Sequence, residues 1–443
     1  MAKHFHEIRD PIHVFVRLTS AEREMVDSRA FQRLRHIHQL ALTYLVYPGA
    51  THRRFEHSLG VMELATRVFD VVTRDDNLNH TLRSELGELQ ERREYWRSTL
   101  RMAALCHDIG HLPFSHAAEK ELLPNGWTHE QLTAALVCSD ELRSIWNKRK
   151  IQSEDVVKLA LGPKELPKER FSPWETILAE IVVGDALGVD RMDYLLRDSH
   201  HAGVAYGRFD HYRLIDTMRI LPSPPMEDEE QSDGLALGVE EGGLQSAEAL
   251  LLARYFMFSQ VYCHPVRRIY DIHLKDFLKE WLPAHMFSTE TDDHLKMTDT
   301  EVTAAMRLAD RDSGHPGHLH ARRILRREHF KPIYQRNPSD SAINPEAGRA
   351  VFFALCDKFG ADSFRHDRYP QGSGTPDLPV LPRNGKVASS LALSQVLDRL
   401  PAVSIDYVFA DRVIEKRAAA WIDKHRDEVI RPKSEEESHG QAS

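Results

Sequence analysis

Residues 105–119 read LCHDIGHLPFSHAAE and place an adjacent histidine and aspartate at the end of an apolar segment. The apolar residues of 100–109 follow helical spacing, and Pro113 interrupts the pattern because proline cannot continue an α-helix. His107 and Asp108 offer one neutral nitrogen ligand and one anionic oxygen ligand. Two such groups are too few to hold a catalytic metal ion, so other parts of the chain must supply the remaining ligands.

Two further segments with helical spacing contain suitable groups. His57 lies in RFEHSLG, near the start of a helix predicted for 55–73, and Asp190 lies in GVDRMDYLLRD. Each residue alone has an ordinary structural explanation, but the spaced combination on apolar helices is far more specific. Two histidines and two aspartates suit Mn, Fe, Co, Ni or Zn better than Ca or Mg. The sequence therefore predicts a metal site within residues 50–200.

Composition limits the class of protein. The chain has 443 residues, 42% of them hydrophobic and 28% charged, and a net charge of −9, which argues against a general nucleic-acid coat. Four scattered cysteines without a CxxC pair argue against a disulfide scaffold or a zinc ribbon. Because the sequence contains no signal-like apolar N-terminus and no apolar run of about 18 residues, we expect a cytoplasmic protein without a membrane partner.

The rest of the chain is predicted to be mainly helical. Helical patterns cover 128–147, 174–199 and 246–263, whereas 222–234 is polar and disorder-like. Residues 404–410 predict a strand, followed by a helix at 411–427. We therefore expect a mainly α fold with a large domain at 1–280, a smaller α+β part at 281–443 and a disordered tail at about 432–443.

Several strings occur in an order typical of one known family. They are DPIH at 10–13, FQRLRHIHQL at 31–40, YPGATHRRFEHSLG at 47–60, CHDIGHLPFSH at 106–116, WTHE at 127–130, VDRMDYLLRDSHHAG at 189–203 and LLLARYFMFSQVYCHPVRR at 250–268. The chain thereby resembles the HD-domain deoxynucleoside triphosphate triphosphohydrolases over roughly residues 8–280. The resemblance implies a helical HD phosphohydrolase core that hydrolyses dNTPs to deoxynucleosides and tripolyphosphate. It also implies one divalent transition metal, manganese among the candidates, held by the four ligands above, with additional Mg accompanying the triphosphate.

Four residues are candidates for acid–base work. His111 lies one helical turn after His107, and Glu119 lies three residues after His116. A carboxylate beside a histidine orients the ring and raises its basicity, which suits an acid that protonates a leaving oxygen. The resemblance implies that His116 contacts the scissile phosphate beside Glu119, and that His129 positions water or phosphate. The competing interpretation of each histidine is a structural role.

The resemblance also implies a substrate site. Phosphate contacts would come from Arg54, Arg191 and Arg254. Sugar contacts would come from Tyr194, Asp198 and Tyr262, and base contacts from Gln39 and Leu40. Without the family resemblance, the same residues would be explained by core packing or by solvated surface charge. Phe258 stands where the vertebrate family members carry a pocket histidine, so base preference stays open.

Activation and assembly are further expectations. Asp27, Gln32 and Arg35 resemble a guanine-nucleotide contact set, although two lysine positions of that set carry other residues here. We therefore treat a GTP or dNTP activator as a hypothesis and expect a homo-oligomer, whether dimer, tetramer or hexamer. Single-stranded nucleic acid is a further candidate partner.

Two alternatives to dNTP hydrolysis remain. One is another HD phosphohydrolase, such as a nucleotide pyrophosphohydrolase, a phosphodiesterase or a single-strand nuclease. The other is a regulatory nucleotide-binding protein with weak activity. The metal-ligand set alone does not separate the enzyme classes.

Overall fold

The computed structural model describes residues 5–78, 80–115, 119–223, 234–369 and 374–431. The chain forms two compact units, neither of which is continuous in sequence. The first comprises Met1–Met257, Leu282–Ala304 and Gly374–Pro401, and the second comprises Phe258–Trp281, Ala305–Ser373 and Ala402–Ser443. The boundary expected between residues 280 and 281 stays a prediction. The tail expected at about 432–443, like most of the polar segment 222–234, lies outside the described residues.

The first unit is built mainly of helices. Its α-helices are Ser20–Val26, Arg29–Arg33, Arg54–Val72, His80–Glu85, Gly87–Cys106, Glu119–Leu122, His129–Val137, Asp140–Arg149, Ser153–Glu165, Pro173–Val183, Val189–Ala202, His211–Asp216, Leu244–Met257, Thr291–Lys296, Ser390–Leu393 and Gln395–Asp398. Helix Asp299–Arg311 contributes to both units. The long patterns at 128–147 and 174–199 are therefore each divided into two helices by a short turn.

Local capping explains where several of these helices begin. Thr19 caps helix Ser20–Val26: its side chain accepts a hydrogen bond from the Glu22 N–H, and the Glu22 carboxylate accepts one from the Thr19 N–H. Ser172 and Glu175 form the same capping box at the start of helix Pro173–Val183. These reciprocal bonds satisfy backbone donors that a helix start leaves without partners.

Short strands complete the first unit. Phe5–Asp10 and Val14–Thr19 form an antiparallel hairpin. A four-stranded sheet has the order Met218–Pro222, Leu235–Glu240, Pro379–Leu381 and Ala388–Ser389, with the two central strands parallel and the outer pairs antiparallel. Strand Leu235–Glu240 thus follows directly after the polar segment 222–234.

The second unit combines helices with a three-stranded antiparallel sheet. Its strands lie in the order Lys331–Gln335, Ile405–Ala410 and Phe364–Tyr369. Its further helices are Pro265–Trp281, His318–Leu325, Pro338–Ile343, Ala347–Phe359 and Glu415–Val429, and a π-helical turn covers Phe258–Tyr262. Val351, Val408 and Ile422 join these helices and the central strand in one apolar core. The predicted fold class, mainly α with an α+β C-terminal region, is confirmed.

No described helix is long and apolar enough to cross a membrane.

Helix Arg54–Val72 packs closely against helix Val189–Ala202 at a glycine. A Cβ atom at Gly60 would lie 1.9 Å from Oδ1 of Asp193 and 2.4 Å from a guanidinium nitrogen of Arg197. Both side chains are fully buried, so neither has room to withdraw. The glycine therefore leaves room for the Asp193–Arg197 ion pair of helix Val189–Ala202 to pack against helix Arg54–Val72.

We expect Gly60→Ala to lower the free energy of unfolding by about 1–3 kcal/mol, because the added methyl group overpacks a buried contact. Gly87→Ala is the control: it also lies in a helix, but its added Cβ meets nothing within 4 Å. Urea denaturation of both variants measures the difference. Equal stabilities of the two variants would show that the Gly60 contact is not tight.

Candidate metal centre and adjoining pocket

Three helical segments bring the four predicted ligands together. His57 lies in the first turns of helix Arg54–Val72, and His107 and Asp108 directly follow helix Gly87–Cys106. Asp190 lies in the first turn of helix Val189–Ala202. The structure therefore places all four side chains at one point of the first unit.

The distances between the ligand atoms are short. His57 Nε2 lies 3.0 Å from Asp190 Oδ1 and 3.6 Å from Asp108 Oδ2. His107 Nε2 lies 3.4 Å from Asp108 Oδ1 and 3.5 Å from Asp190 Oδ1. Ligands bonded to one ion at about 2.1 Å are separated by about 3.0 Å in an octahedron and about 3.4 Å in a tetrahedron. Each histidine Nε2 thus lies at about this spacing from an oxygen of Asp108 and from Asp190 Oδ1, and His57, His107 and Asp108 each offer one ligand atom within 4.8 Å of the others.

The hydrogen bonding of His107 also fits a metal ion. Its Nδ1 donates to the Ala104 carbonyl at 2.8 Å, which leaves the lone pair on Nε2. Nε2 is buried and forms no hydrogen bond with the described residues. A divalent transition metal would satisfy this nitrogen together with both carboxylates.

His57 has a second carboxylate on its other side. Its Nδ1 donates to Asp193 Oδ2 at 2.8 Å, while its Nε2 faces Asp190. Burial opposes a charge on His57, but the hydrogen bonds with Asp190 and Asp193 raise its pKa to about 10. The site therefore attracts positive charge between His57 and Asp190, where a divalent cation would displace the proton.

Asp108 is paired with Arg54, one of the three predicted phosphate-binding arginines. The Arg54 guanidinium donates to Asp108 Oδ2 and, at 2.9 Å, to Ser115 Oγ. Although burial opposes ionisation, Arg54, His107 and His111 hold the pKa of Asp108 well below its ordinary value. Asp108 is therefore an anion, and Arg54 is held beside the metal ligands.

The predicted acid–base residues form a second group beside the metal ligands. His111 Nε2 lies 3.2 Å from Asp108 Oδ1, and the His111 ring stacks on the His129 ring with centroids 3.9 Å apart. His129 Nδ1 is hydrogen-bonded to Glu119 Oε1 at 2.6 Å. Glu119 is thus paired with His129 in the structure. His116, its predicted partner, lies outside the described residues.

The pKa values of the two stacked rings are shifted in opposite directions. Burial, Arg54 and His129 lower the pKa of His111 well below its ordinary value. Burial also acts against a charge on His129, but the hydrogen bond with Glu119 raises its pKa. The pKa values of the two adjacent imidazoles are thus shifted in opposite directions, an arrangement suited to acid–base chemistry.

A cavity of about 390 Å³ opens beside these residues. Its lining includes His107, Asp108, His129 and Asp190 together with Arg191. The Asp190 side chain is 29% exposed, the most open of the four ligands. The metal ligands therefore face a pocket large enough for part of a small molecule.

Arg191 and Arg254 converge on one short segment. Arg191 donates to the Gly184 carbonyl at 3.1 Å and to Asp185 Oδ1 at 2.5 Å, and Arg254 donates to the Asp185 carbonyl at 3.4 Å. Two of the predicted phosphate-binding arginines thus lie close together, and Arg191 lines the cavity.

Two of the predicted sugar and base residues, Asp198 and Gln39, are hydrogen-bonded to His52. His52 Nε2 donates to Asp198 Oδ1 at 2.7 Å, and the His52 carbonyl accepts from the Gln39 N–H at 3.0 Å. Leu40 is buried, and burial raises the pKa of Tyr194, which lies between Asp190 and Asp198 on one helix. Tyr262 belongs to the π-helical turn of the second unit. The roles of these residues stay predictions.

Sequence reasoning missed Asp299, which organises the loop near the site. Its carboxylate accepts from the backbone N–H groups of His38 at 2.8 Å and Phe114 at 2.7 Å. Phe114 and Ser115 have φ values of +55° and +58°, a conformation that needs such support. Asp299 thus holds the turn that presents Ser115 to Arg54. No local motif marked it, because 261 residues separate it from His38.

Glu180 was also missed, because it is surrounded in sequence by the apolar face of helix Pro173–Val183. It lines the cavity, and its Oε2 accepts from the Leu237 N–H at 2.9 Å. Burial raises its pKa to about 7, although the Leu237 N–H acts in the opposite direction. The cavity therefore contains a carboxyl group that changes charge near neutral pH.

Comparison with known proteins identifies the family to which the chain belongs. The chain matches the HD domain over residues 54–195 and the HD associated region over residues 209–360. A crystal structure of a hypothetical protein from Aquifex aeolicus shares 32% identity at a TM-score of 0.76 and covers 94% of this chain and 99% of that one. The chain belongs to the HD-domain family and carries an HD domain followed by an HD associated region. HD domains bind a divalent metal through histidine and aspartate side chains.

Three relatives show how similar the chain is to individual proteins of this kind. The uncharacterized protein YwfO of Bacillus subtilis is 27% identical over 423 residues, 88% of each chain. The uncharacterized protein MJ1154 of Methanocaldococcus jannaschii is 35% identical and is matched over 55% of its length. Human deoxynucleoside triphosphate triphosphohydrolase SAMHD1 is 30% identical over 74% of this chain and 54% of its own length. The chain thus spans about half the length of MJ1154 and SAMHD1.

Replacing Glu180 with glutamine is expected to change how stability depends on pH. Between about pH 4.5 and 7 the folded protein binds more protons at Glu180 than the unfolded chain, so its contribution to stability falls as pH rises. Glutamine keeps the acceptor for Leu237 and does not titrate. The free energy of unfolding of the wild type, relative to Glu180→Gln, is therefore expected to decrease from pH 5 to pH 8.

Urea denaturation at several pH values measures this difference, and Glu169→Gln, at an exposed glutamate, is the control. A wild-type minus Glu180→Gln difference that stays constant over this range contradicts the assignment.

Proposed function

We propose that this protein hydrolyses deoxynucleoside triphosphates to deoxynucleoside and tripolyphosphate, using one divalent transition metal. The observation that carries the proposal is the convergence of His57, His107, Asp108 and Asp190 at a cavity that also contains Arg191 and His129. The SAMHD1 relatives, whose name describes this activity, support the choice of substrate.

The bound metal would supply positive charge for the phosphate and lower the pKa of a coordinated water. Arg54 lies next to Asp108 and would stabilise the charge that develops on the α-phosphate. His129, held by Glu119, is suited to donate a proton to the 5′-oxygen as the bond between phosphorus and that oxygen breaks. We assign phosphate contact to His116 from the family resemblance, and to His111 the orientation of Asp108.

The remaining predicted residues are assigned to substrate recognition. Arg191 and Arg254 would bind the β- and γ-phosphates, and Arg191 would exchange Asp185 for phosphate oxygens. We assign the sugar to Tyr194, Asp198 and Tyr262, and the base to Gln39 and Leu40. Magnesium accompanying the triphosphate would balance its remaining charge.

A second cavity supports the activator hypothesis. It has a volume of about 730 Å³ and is lined by Phe15, Arg23, Asp27 and Arg35 among others. Asp27 and Arg35 belong to the predicted guanine-nucleotide contact set, and Gln32 is hydrogen-bonded to Arg35 at 2.9 Å. We propose that GTP or a dNTP binds in this second cavity and favours a homo-oligomeric form of the protein. We propose a dimer, tetramer or hexamer, and a location in the cytoplasm.

The alternative function is another HD phosphohydrolase that cleaves a different nucleotide or single-stranded nucleic acid. The same metal ligands would serve this chemistry, so product identity separates the two. A regulatory nucleotide-binding role would leave the His129–Glu119 pair without a chemical task.

Product analysis is the test of the proposed reaction. The full chain is incubated with dNTPs, NTPs, guanosine tetraphosphate or single-stranded DNA in the presence of Mn²⁺, Co²⁺ or Mg²⁺. Tripolyphosphate released from a dNTP is the expected result. Pyrophosphate as product, or cleavage of DNA alone, would contradict the proposal.

His107→Ala and Asp108→Ala are each expected to abolish turnover and metal retention together, because each removes a ligand of one ion. His315→Ala, in the second unit, is the control and should retain both properties. Metal content by mass spectrometry and the rate of dNTP loss are measured on the same samples. Full activity in either ligand variant would exclude the proposed centre.

The activator proposal predicts that GTP increases both the molecular mass and the rate of dNTP hydrolysis. Light scattering and a rate assay with and without GTP measure these effects. Asp27→Asn should weaken both responses, because it removes an anionic acceptor from the second cavity. An unchanged mass and rate would show that no such activation occurs.

A further inference from the structure

A buried network joins the N-terminal hairpin to the metal ligands. Asp193 lies at the centre of this network, but it is neither a predicted metal ligand nor a lining residue of the cavity. Its side chain is fully buried, and both oxygens are engaged by donors from three different segments. A buried anion of this kind is costly unless its partners are fixed, so its retention here calls for a specific task.

The contacts of Asp193 occupy all the usual acceptor directions of a carboxylate. Oδ2 accepts from His57 Nδ1 at 2.8 Å and Arg197 Nε at 2.8 Å. Oδ1 accepts from His13 Nε2 at 2.7 Å and Arg197 Nη2 at 2.9 Å. Arg197 therefore binds Asp193 through two parallel hydrogen bonds, the geometry that holds a carboxylate as an anion in one orientation.

This arrangement determines which nitrogen of His57 carries hydrogen. An ionised carboxylate only accepts hydrogen bonds, so the hydrogen must lie on Nδ1 of His57. A cation that displaces the proton of Nε2 would then meet the Nε2 lone pair on the side of Asp108 and Asp190. Hydrogen bonding to an anion also increases the basicity of the imidazole, which strengthens a nitrogen ligand.

The hairpin completes the network from the other side. Arg197 Nη1 donates to Asp10 Oδ2 at 2.9 Å, and Asp10 Oδ1 accepts from the backbone N–H groups of Ile12 and His13, each at 2.8 Å. Asp10 thus fixes the turn that presents His13 to Asp193. The string DPIH at 10–13 therefore supports Asp193, although it lies more than 40 residues before His57 in the sequence.

We propose that Asp193 is a positioning residue of the metal centre, and that Asp10, His13 and Arg197 act through it to orient His57 for the ion. This inference rests on the metal site of the proposed function but not on the identity of the substrate. It assigns to the N-terminal hairpin a part in metal affinity.

The dissociation constant of Mn²⁺, measured by titration calorimetry on the metal-free full chain, tests the proposal. Asp193→Asn is expected to weaken Mn²⁺ binding about 10- to 100-fold, the effect typical of losing a carboxylate that supports a histidine ligand. His13→Phe keeps His57, Asp193 and Arg197 and is expected to weaken binding less than Asp193→Asn does.

Asp406→Asn is a matched control in the second unit. Asp406 is 1% exposed, lies 2.7 Å from His366 Nε2 and approaches Gly348 as closely as Asp193 approaches Gly60. This control should lose stability without changing Mn²⁺ affinity. The visible spectrum of bound Co²⁺ should change in Asp193→Asn and stay unchanged in Asp406→Asn, since only the former alters a ligand's orientation.

Wild-type affinity in both Asp193→Asn and His13→Phe would overturn the proposal, as would an equal loss of affinity in Asp406→Asn. These measurements require no nucleotide. If the wild type binds Mn²⁺ in an Asp193-dependent way but releases no tripolyphosphate from dNTPs, only the proposed substrate fails.

Discussion

The free energy cost of removing charges from water is the constraint on which the metal centre of this protein depends. Asp108 and Asp193 are buried anions within the same cluster, and each would be strongly destabilising without a partner. Arg54 compensates Asp108, and Arg197 compensates Asp193. These two ion pairs allow His57 and His107 to direct their Nε2 atoms toward a common point.

The need to pair these buried charges also explains how closely the helices pack at two glycines. Gly60 lets helix Arg54–Val72 approach the Asp193–Arg197 pair, and Gly110 allows a similar approach to the backbone of helix His129–Val137. Close packing of backbone and ion pairs fixes the ligands without long loops. The hydrogen-bonded pair of His129 and Glu119 is attached to the same framework, since the His111 ring contacts both Asp108 and His129.

Much of this organisation could be predicted from the sequence, because helical periodicity and the residue types of metal ligands are local signals. The four predicted ligands lie on apolar helices or directly after one, and the Thr19 cap and the strand near 404–410 are marked by their own residues. Asp193, Asp299 and Glu180 could not be assigned in this way, since their partners are distant in sequence. Asp193 did have a weak local signal: it lies four residues before Arg197 on one helix, the spacing of an ion pair.

The pairing of Glu119 shows the limit of spacing arguments. Its position three residues after His116 predicted that histidine as its partner, which stays a prediction because His116 lies outside the described residues. The structure shows that the Glu119 carboxylate accepts from both the backbone N–H and the ring of His129. The turn that begins helix His129–Val137 brings that residue back to Glu119, and only tertiary structure contains this information. Residue spacing therefore did not reveal the contact between Glu119 and His129.

The central claim is that two imidazoles and two carboxylates bind a single ion, and X-ray absorption of the Mn²⁺-loaded protein tests it most directly. The account predicts a shell of nitrogen and oxygen ligands at about 2.1–2.2 Å that includes two imidazoles, one of which is lost in His57→Ala. An ion bound without imidazole, or a spectrum unchanged by His57→Ala, would contradict it.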